Sequence, residues 1–407
     1  MDRCGAPSGT PARPPHPDVE LADIVRLHGE AFRRSHVLTT DQHAVLRAIE
    51  RCRTAVLGGH LDVCLACGHA HPSYNSCRNR HCPKCQGLAQ ARWVARRLKR
   101  VLPTHYFHVV FTLPPALRSL ARRYPRQVYR LFFDAVSETL LELGRDPEWL
   151  GADLGITAVL HTWTRELTFH PHLHCIVTGG GLTRDGSAWR SAKPDFLFPV
   201  HVMGALLRGK MLDKLRRAHR RRPFELGPES RTTFDAVVDA LHATDWIVYA
   251  KRPFGGAAHV VKYLGRYTHR IGISNARIDS LHDGEVTFRT KNGDRVTVTA
   301  EEFLARFVQH VLPSGFTKIR HYGLMAPCNA TTKLAVARSL LQRAQPRESD
   351  DAATSASLTA GDDAEIAWRE LFVRLTGVDL TRCRACGSDE TVRRPLDAPA
   401  RAPPEAA

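Results

Sequence analysis

Hydrophobic positions recur every three to four residues along some stretches and alternate along others. The two periods separate helices from strands. Two helices come first. One runs from Val19 to about Arg34; the second starts near Thr40 or Asp41, which can cap it, and carries Val45, Leu46 and Ile49. Gly58-Gly59 ends that pattern, and a basic helix follows from Gln90 to Val101. Tyr106–Thr112 (YFHVVFT) reads as a strand halted by Leu113-Pro114-Pro115, and Arg126–Leu143 as a helix. Ile156–Trp163 and Leu167–Thr178 read as two strands joined by a short polar turn, the second ending at Gly179-Gly180-Gly181. A helix at about His201–His219, a short strand at Trp246–Ala250 and a helix at Ala257–His269 come next. Val286–Thr290 and Arg295–Thr299 flank Asn292-Gly293, a hairpin signal. Thr299 with Glu302 can form a capping box for a helix to about Leu312. A short amphipathic helix is expected around Ile366–Leu375, and no internal repeat is seen.

Strands and helices mixed in this way predict an α+β chain. The expected divisions are a flexible leader at 1–18, a helical and cysteine-rich domain at 19–100 and a larger mixed domain at 101–330. A helix and acidic linker at 331–365, a short helix with a CxxC knuckle at 366–390 and a disordered Pro/Ala tail at 391–407 complete it. At 407 residues the chain can hold two or three domains with cores of their own. No apolar run is long enough to span a membrane, and the first twenty residues lack the apolar stretch of a secretory signal. A cytoplasmic, nucleoid-associated protein is expected. Lys and Arg number 58 against 41 Asp and Glu, a net charge of +17, which points to a polyanion and to nucleic acid first. Charge alone does not choose among DNA, RNA and an acidic membrane.

The eleven cysteines narrow the chemistry. Six fall in CxxC pairs: Cys64/Cys67, Cys82/Cys85 and Cys383/Cys386. Segment 64–85 reads CLACGHAHPSYNSCRNRHCPKC. Two knuckles of paired thiolates can complete a tetrahedron around Zn²⁺, supplying folding energy that so apolar-poor a segment lacks. Cys64, Cys67, Cys82 and Cys85 are the expected ligands. Cys77 or His81 could replace one or join a second site, and His69 and His71 are weaker candidates. The C-terminal pair has no second pair nearby and needs outside partners, such as Cys328 or a histidine.

The segment His170-Pro171-His172-Leu173-His174 places three imidazoles on one strand face and turns Leu173 to the core. Imidazoles two residues apart converge well on a divalent cation, and His161 lies on the hairpin partner. Downstream, Lys262-Tyr263-Leu264-Gly265-Arg266-Tyr267-Thr268-His269-Arg270 puts two tyrosines on one helix face among cations. Tyrosine pairs at this spacing are usually core aromatics, but these basic neighbours suit a phosphate-facing surface better. A phenol can attack a phosphodiester as a covalent nucleophile, and a metal held by His172 and His174 would polarise that phosphate. The product is a 5′-phosphotyrosine and a 3′-OH. The ester keeps the bond energy, so a later 3′-OH reverses the step without ATP, and two tyrosines allow two transfers. Mg²⁺ or Mn²⁺ is the expected catalytic ion.

Together these residues resemble the two-tyrosine HUH transposases of the IS-ninety-one family of rolling-circle insertion sequences. His172-Leu173-His174 is similar to the family's His-hydrophobic-His motif, Tyr263 and Tyr267 to its catalytic pair, and residues 64–86 to its zinc-binding domain. Arg320-His321-Tyr322-Gly323-Leu324 is similar to a segment near the end of its catalytic region. The resemblance spans about residues 20–390. It implies an HUH endonuclease-like domain with a central antiparallel sheet flanked by helices, preceded by a small helical and zinc-binding domain. Relaxases of this kind carry a third histidine on the strand paired with the HUH strand, which makes His161 the preferred third ligand and His170 the alternative. The implied catalytic residues are Tyr263 and Tyr267, with Lys262 beside them. Single-stranded DNA at element ends, target DNA and host replication proteins are the implied partners. Arg266, Arg270, Arg208, Lys214, Arg216 and Arg217 are the expected DNA contacts. The rivals are a rolling-circle replication initiator or relaxase, which would share the chemistry, and a non-catalytic zinc-containing DNA-binding regulator, which would need neither tyrosine.

Overall fold

The computed structural model describes residues 18–225, 233–251, 265, 272–290, 292–344, 373 and 379–397. The leader, the acidic linker, the expected helix at 366–375 (Val373 apart) and the helix at 257–269 lie outside them. With that last helix go Lys262, Tyr263, Arg266, Tyr267 and Arg270; only Gly265 within it is described. In chain order the elements begin with helices α1 (Leu21–Ser35) and α2 (Thr40–Arg51), strands β1 (Gly59–Cys64) and β2 (Ala70–Tyr74), and α3 (Gln86–Leu98). Next come β3 (Tyr106–Thr112), α4 (Arg118–Arg123), α5 (Pro125–Arg145), β4 (Asp153–Trp163), β5 (Phe169–Leu182), β6 (Trp189–Ser191) and α6 (Val200–Arg221). After α7 (Phe234–Ala243) and β7 (Val248–Lys251) follow β8 (Ile278–His282), β9 (Glu285–Arg289), β10 (Arg295–Thr299) and α8 (Ala300–Val308). The last are β11 (Ile319–Gly323), α9 (Lys333–Ala344) and β12 (Thr391–Leu396). The α+β class read from the sequence is the one observed. The chain forms two compact units, one of residues 1–92, 269–305 and 354–407, the other of 93–268 and 306–353. Residues 269–305 therefore group with the cysteine-rich part of the chain, whereas the sequence reading put them in the larger domain.

In the first unit, α1 and α2 pack as a hairpin through Leu21, Ile24, Val25 and Phe32 against Val45, Leu46 and Ile49, all buried. Both helices start on capping boxes. Glu20 works with Asp23, and Thr39, one residue earlier than expected, works with Gln42. The Asn275 side chain accepts from Leu21 N–H at 3.2 Å, giving the start of α1 a further partner. β9 and β10 form the expected hairpin, with Gly293 at φ 96°, and β8 adds on the far side of β9. Thr299 caps α8 as expected, but the helix stops at Val308. A second sheet has the order β12-β1-β2, all antiparallel. Thr391–Leu396 is thus a strand where the sequence reading placed a disordered tail.

The second unit is built on an antiparallel sheet of order β11-β4-β5-β3-β7, with β6 paired to β5. Strand alternation divides its side chains between two cores. Phe107, Val109 and Phe111 of β3, Leu154, Ile156, Ala158 and Leu160 of β4, and Leu173, Cys175 and Val177 of β5 pack against α5 and α6. Tyr106, Val159 and Ile176 point the other way, into a cluster with Trp93 of α3 and Leu334, Ala337 and Leu341 of α9. Burying a side chain of this size contributes about 1.5–3 kcal/mol, so the register of β4 on β5 is strongly fixed.

β11 carries the Arg320-His321-Tyr322-Gly323 segment and explains its residues. The Arg320 guanidinium lies over the Phe133 ring, 4.4 Å from its centroid. His321 Nδ1 pairs with the Thr157 hydroxyl at 2.9 Å. Gly323 sits at φ 56°, and a Cβ there would fall 1.9 Å from the Leu154 carbonyl oxygen. Gly323→Ala is therefore expected to cost about 2–4 kcal/mol of stability, through left-handed strain and that collision. A urea midpoint equal to that of the unsubstituted protein would show that β11 does not approach β4 this closely.

Candidate functional site

The histidines reach one place because of the alternation just described. With Leu173 buried in the α5–α6 core, His172 and His174 must face the opposite side of β5. His161 of β4 stands directly across from His172 in the strand register, and Val159 across from His174. A side-chain nitrogen from each of His161, His172 and His174 lies within 4.8 Å of the others. Ring centroids are 4.4 Å apart for His161–His174, 4.8 Å for His172–His174 and 5.5 Å for His161–His172. Trp163 stacks on His161 at 4.6 Å, and the ladder shifts register between these two residues.

One hydrogen bond sets the tautomer of His172. His172 Nδ1 is 2.7 Å from the His170 carbonyl oxygen. A carbonyl only accepts, so Nδ1 carries the proton and Nε2 presents the lone pair. Burial lowers the His172 pKa to about 4, which keeps the ring neutral, the form a metal ligand needs. His174 Nδ1 is 2.8 Å from His108 Nε2 on β3. Burial likewise lowers the His108 pKa to about 4. His108 was not singled out from the sequence; the signal was available as the polar position in YFHVVFT that alternation turns to the histidine face. His170, the alternative third ligand, stands apart from the triad group and pairs through Nδ1 with Arg118 Nη2 at 2.9 Å.

Two other histidines of this unit, the buried His310 and the half-buried His321, serve as a pH probe. Burial lowers His310 to about 4 and His321 to about 3, the latter helped by Arg97 and Arg100. Unfolded histidine titrates near 6.5, so between that value and the folded values the unfolded chain binds more protons. Their contribution is complete above about pH 6.5 and is lost as pH falls below it. The urea midpoint is expected to drop from pH 7 towards pH 4, and His321→Gln to flatten that slope. An identical slope in the variant would contradict the assignment.

The cations expected on DNA are less available than their spacing suggested. Lys214 and Lys210 of α6 pair with Glu138 and Glu142 of α5, the former at 2.7 Å. Arg217 pairs with Asp213 at 2.9 Å, and Arg208 reaches the His242 carbonyl at 3.2 Å. Arg216 is exposed. Moreover, α6 covers the sheet face opposite the histidines. In the other unit, a cavity of about 630 Å³ on α1 and α2 is lined by Arg26, Arg33, Arg47 and Arg51.

The cysteines regroup. Cys82 and Cys85 do not share a cluster with Cys64 and Cys67; they meet Cys77 and Cys52. Cys85 Sγ is 3.5 Å from Cys52 Sγ and 3.6 Å from Cys77 Sγ. Cys77 thus joins this group, while His81 does not; its ring turns to the Asn79 side chain, 3.1 Å away. Cys52, at the C-terminal end of α2, was missed because it belongs to no CxxC pair. Cys64 and Cys67 instead meet the C-terminal Cys383 and Cys386, and neither Cys328 nor His69 or His71 is in either group.

Comparison with known proteins bears on all of this. Residues 24–113 match the family described as "Transposase zinc-binding domain" of IS91 type. Residues 155–333 match the family described as "Putative transposase". A relative described as "Putative transposase y4qJ", from Sinorhizobium fredii, is 43% identical over 92% of this chain and 94% of its own. The chain belongs to the IS91 transposase family. The transposase for insertion sequence element IS801 of Pseudomonas savastanoi pv. phaseolicola is 26% identical over 83% of this chain and 80% of its own. No solved structure matches. Membership makes this protein a transposase of an IS91-type element, an enzyme that cleaves and transfers DNA and carries a zinc-binding domain. It sets aside the regulator reading. Among the described residues no helix is long and apolar enough to cross a membrane.

Proposed function

We propose that this transposase nicks single-stranded DNA at the ends of its element through Tyr263 or Tyr267, forming a 5′-phosphotyrosine, and transfers the strand with the help of a divalent cation held by His161, His172 and His174. The convergence of these three histidines on one sheet face carries the reading. With the His172 proton fixed on Nδ1, its Nε2 is available as a ligand, and His174 presents Nε2 if its Nδ1–H donates to His108. A bound Mg²⁺ or Mn²⁺ would polarise the scissile phosphate and offset the charge that develops on it. The attacking phenol displaces the 3′ oxygen, so the nicked strand leaves as a 3′-OH and the 5′ phosphate stays on the enzyme. Reversal by another 3′-OH joins the strand to a target and restores the phenol. Lys262, Arg266 and Arg270 flank the tyrosines in sequence and would hold neighbouring phosphates. The arginines lining the α1–α2 cavity give the zinc-containing unit a surface for the backbone of an element end. Host replication proteins would complete the replicative steps.

The reading is tested with labelled oligonucleotides carrying an element end. Cleavage and a protein–DNA adduct are expected for the single strand with Mg²⁺ or Mn²⁺, and neither with a chelator or with the fully paired duplex. Equal cleavage with and without the chelator would contradict it.

A further inference from the structure

We propose that Cys64, Cys67, Cys383 and Cys386 form a second, tetrathiolate zinc site, and that this site fastens the far end of the chain onto the zinc-binding unit. The four sulfurs lie within 4.8 Å of one another. Cys64 Sγ is 3.6 Å from Cys386 Sγ, and Cys67 Sγ is 3.7 Å from Cys383 Sγ. Tetrahedral zinc, with Zn–S near 2.3 Å, separates its sulfurs by about 3.8 Å, whereas a disulfide requires about 2.05 Å. The spacing is that of a metal cage.

The two halves of the cage are copies of one local structure. Cys64-Leu65-Ala66-Cys67-Gly68 and Cys383-Arg384-Ala385-Cys386-Gly387 share the pattern Cys-x-Ala-Cys-Gly. In each, the glycine N–H donates to the carbonyl of the first cysteine, at 2.9 Å in both. Gly68 and Gly387 take the left-handed conformation that closes such a turn, at φ 72° and 77°. The first cysteine of each donates its own N–H to the carbonyl just past the glycine, Cys64 to His69 at 2.9 Å and Cys383 to Ser388 at 2.7 Å. Two such knuckles facing each other are how a structural zinc site is assembled from sequence-distant pairs.

The strands leaving the knuckles also pair. β12 lies antiparallel on β1 from Cys64↔Thr391 to Gly59↔Leu396, so the cage sits at the mouth of the sheet that β12 builds with β1 and β2. Arg393 grips Asp62 across that ladder with two contacts, 2.7 and 3.4 Å. Cys64 and Cys67 lie within the matched zinc-binding region, whereas Cys383 and Cys386 fall outside both matched regions. The ligands are 316 positions apart at Cys67 and Cys383. Closing so long a loop costs chain entropy, and a strand of six residues with few buried side chains is a weak anchor by itself. Zinc binding, with loss of the four thiol protons to solvent, supplies the missing attachment.

The test uses full-length protein purified under reductant. Native mass spectrometry is expected to show two zinc ions per chain, one on each cysteine group, and Cys383→Ser with Cys386→Ser to leave one. Because that variant could fail to fold, alkylation of the unsubstituted protein provides an independent readout. Cys64, Cys67, Cys383 and Cys386 should resist alkylation in reductant and react after a strong chelator is added, whereas the exposed Cys328 should react in both conditions. One zinc per chain with Cys383 and Cys386 as reactive as Cys328 would overturn the proposal. So would protection that reductant removes and a chelator does not, which would mean disulfides. Neither result touches the nicking chemistry, which is read on DNA.

Discussion

Replacing His172 and His174 together by alanine is expected to lower metal-dependent cleavage of single-stranded DNA by at least about 10³-fold. The estimate follows from the several kcal/mol a metal contributes to a phosphate transition state, each 1.36 kcal/mol being tenfold in rate. The fold should survive, because the residue that ties this stretch of β5 to its core is Leu173, fully buried on the other face. Loss of the rings also removes the partner of His108 Nε2, so a small decrease in thermal stability is expected alongside. The comparison that isolates the metal role is His170→Ala. His170 is on the same strand but pairs with Arg118 rather than joining the triad group, and its loss should weaken cleavage far less. Wild-type rates in the double variant, or an equal loss from His170→Ala, would refute the triad.

Replacing both Tyr263 and Tyr267 by phenylalanine is expected to abolish the covalent adduct and reduce cleavage by at least about 10³-fold, as removal of a nucleophile does in other covalent enzymes. Only two hydroxyl groups are deleted, so the change is conservative for packing. Single variants separate the roles. If the tyrosines act in sequence, each single variant should keep one half of the reaction, nicking or the second transfer, and lose the other. Normal nicking by the double variant would require a different nucleophile.

How much of this was legible in the sequence varied with the distance between interacting residues. The histidine face was legible because alternation is local: His172, Leu173 and His174 declare the two faces of one strand, and the short turn before Phe169 brings His161 alongside. The end of β5 was placed too early, at Thr178 rather than Leu182, because Gly179-Gly180-Gly181 reads as a stop. In the sheet those glycines are needed for close approach; a Cβ on Gly180 would lie 2.5 Å from the Arg190 carbonyl oxygen of β6. The cysteine grouping was misread because a CxxC pair announces a knuckle but not its partner, and nearness in sequence favoured the wrong pairing. β12 was missed for a related reason. Thr391–Leu396 is an edge strand with mostly exposed side chains and a proline, so it has no alternation to reveal it. The basic run in α6 was visible, but the carboxylates of α5 that occupy part of it come from a different segment.

The proposed reaction of this transposase runs through a phosphotyrosine made at a histidine-held metal. It is tested most directly by trapping the adduct on an element-end single strand, digesting it and locating the modified residue by mass spectrometry. A 5′-phosphodeoxynucleotide is expected on Tyr263 or Tyr267 and on no other side chain, formed only with Mg²⁺ or Mn²⁺ present. An adduct on another residue, or efficient cleavage with no adduct at all, would contradict it.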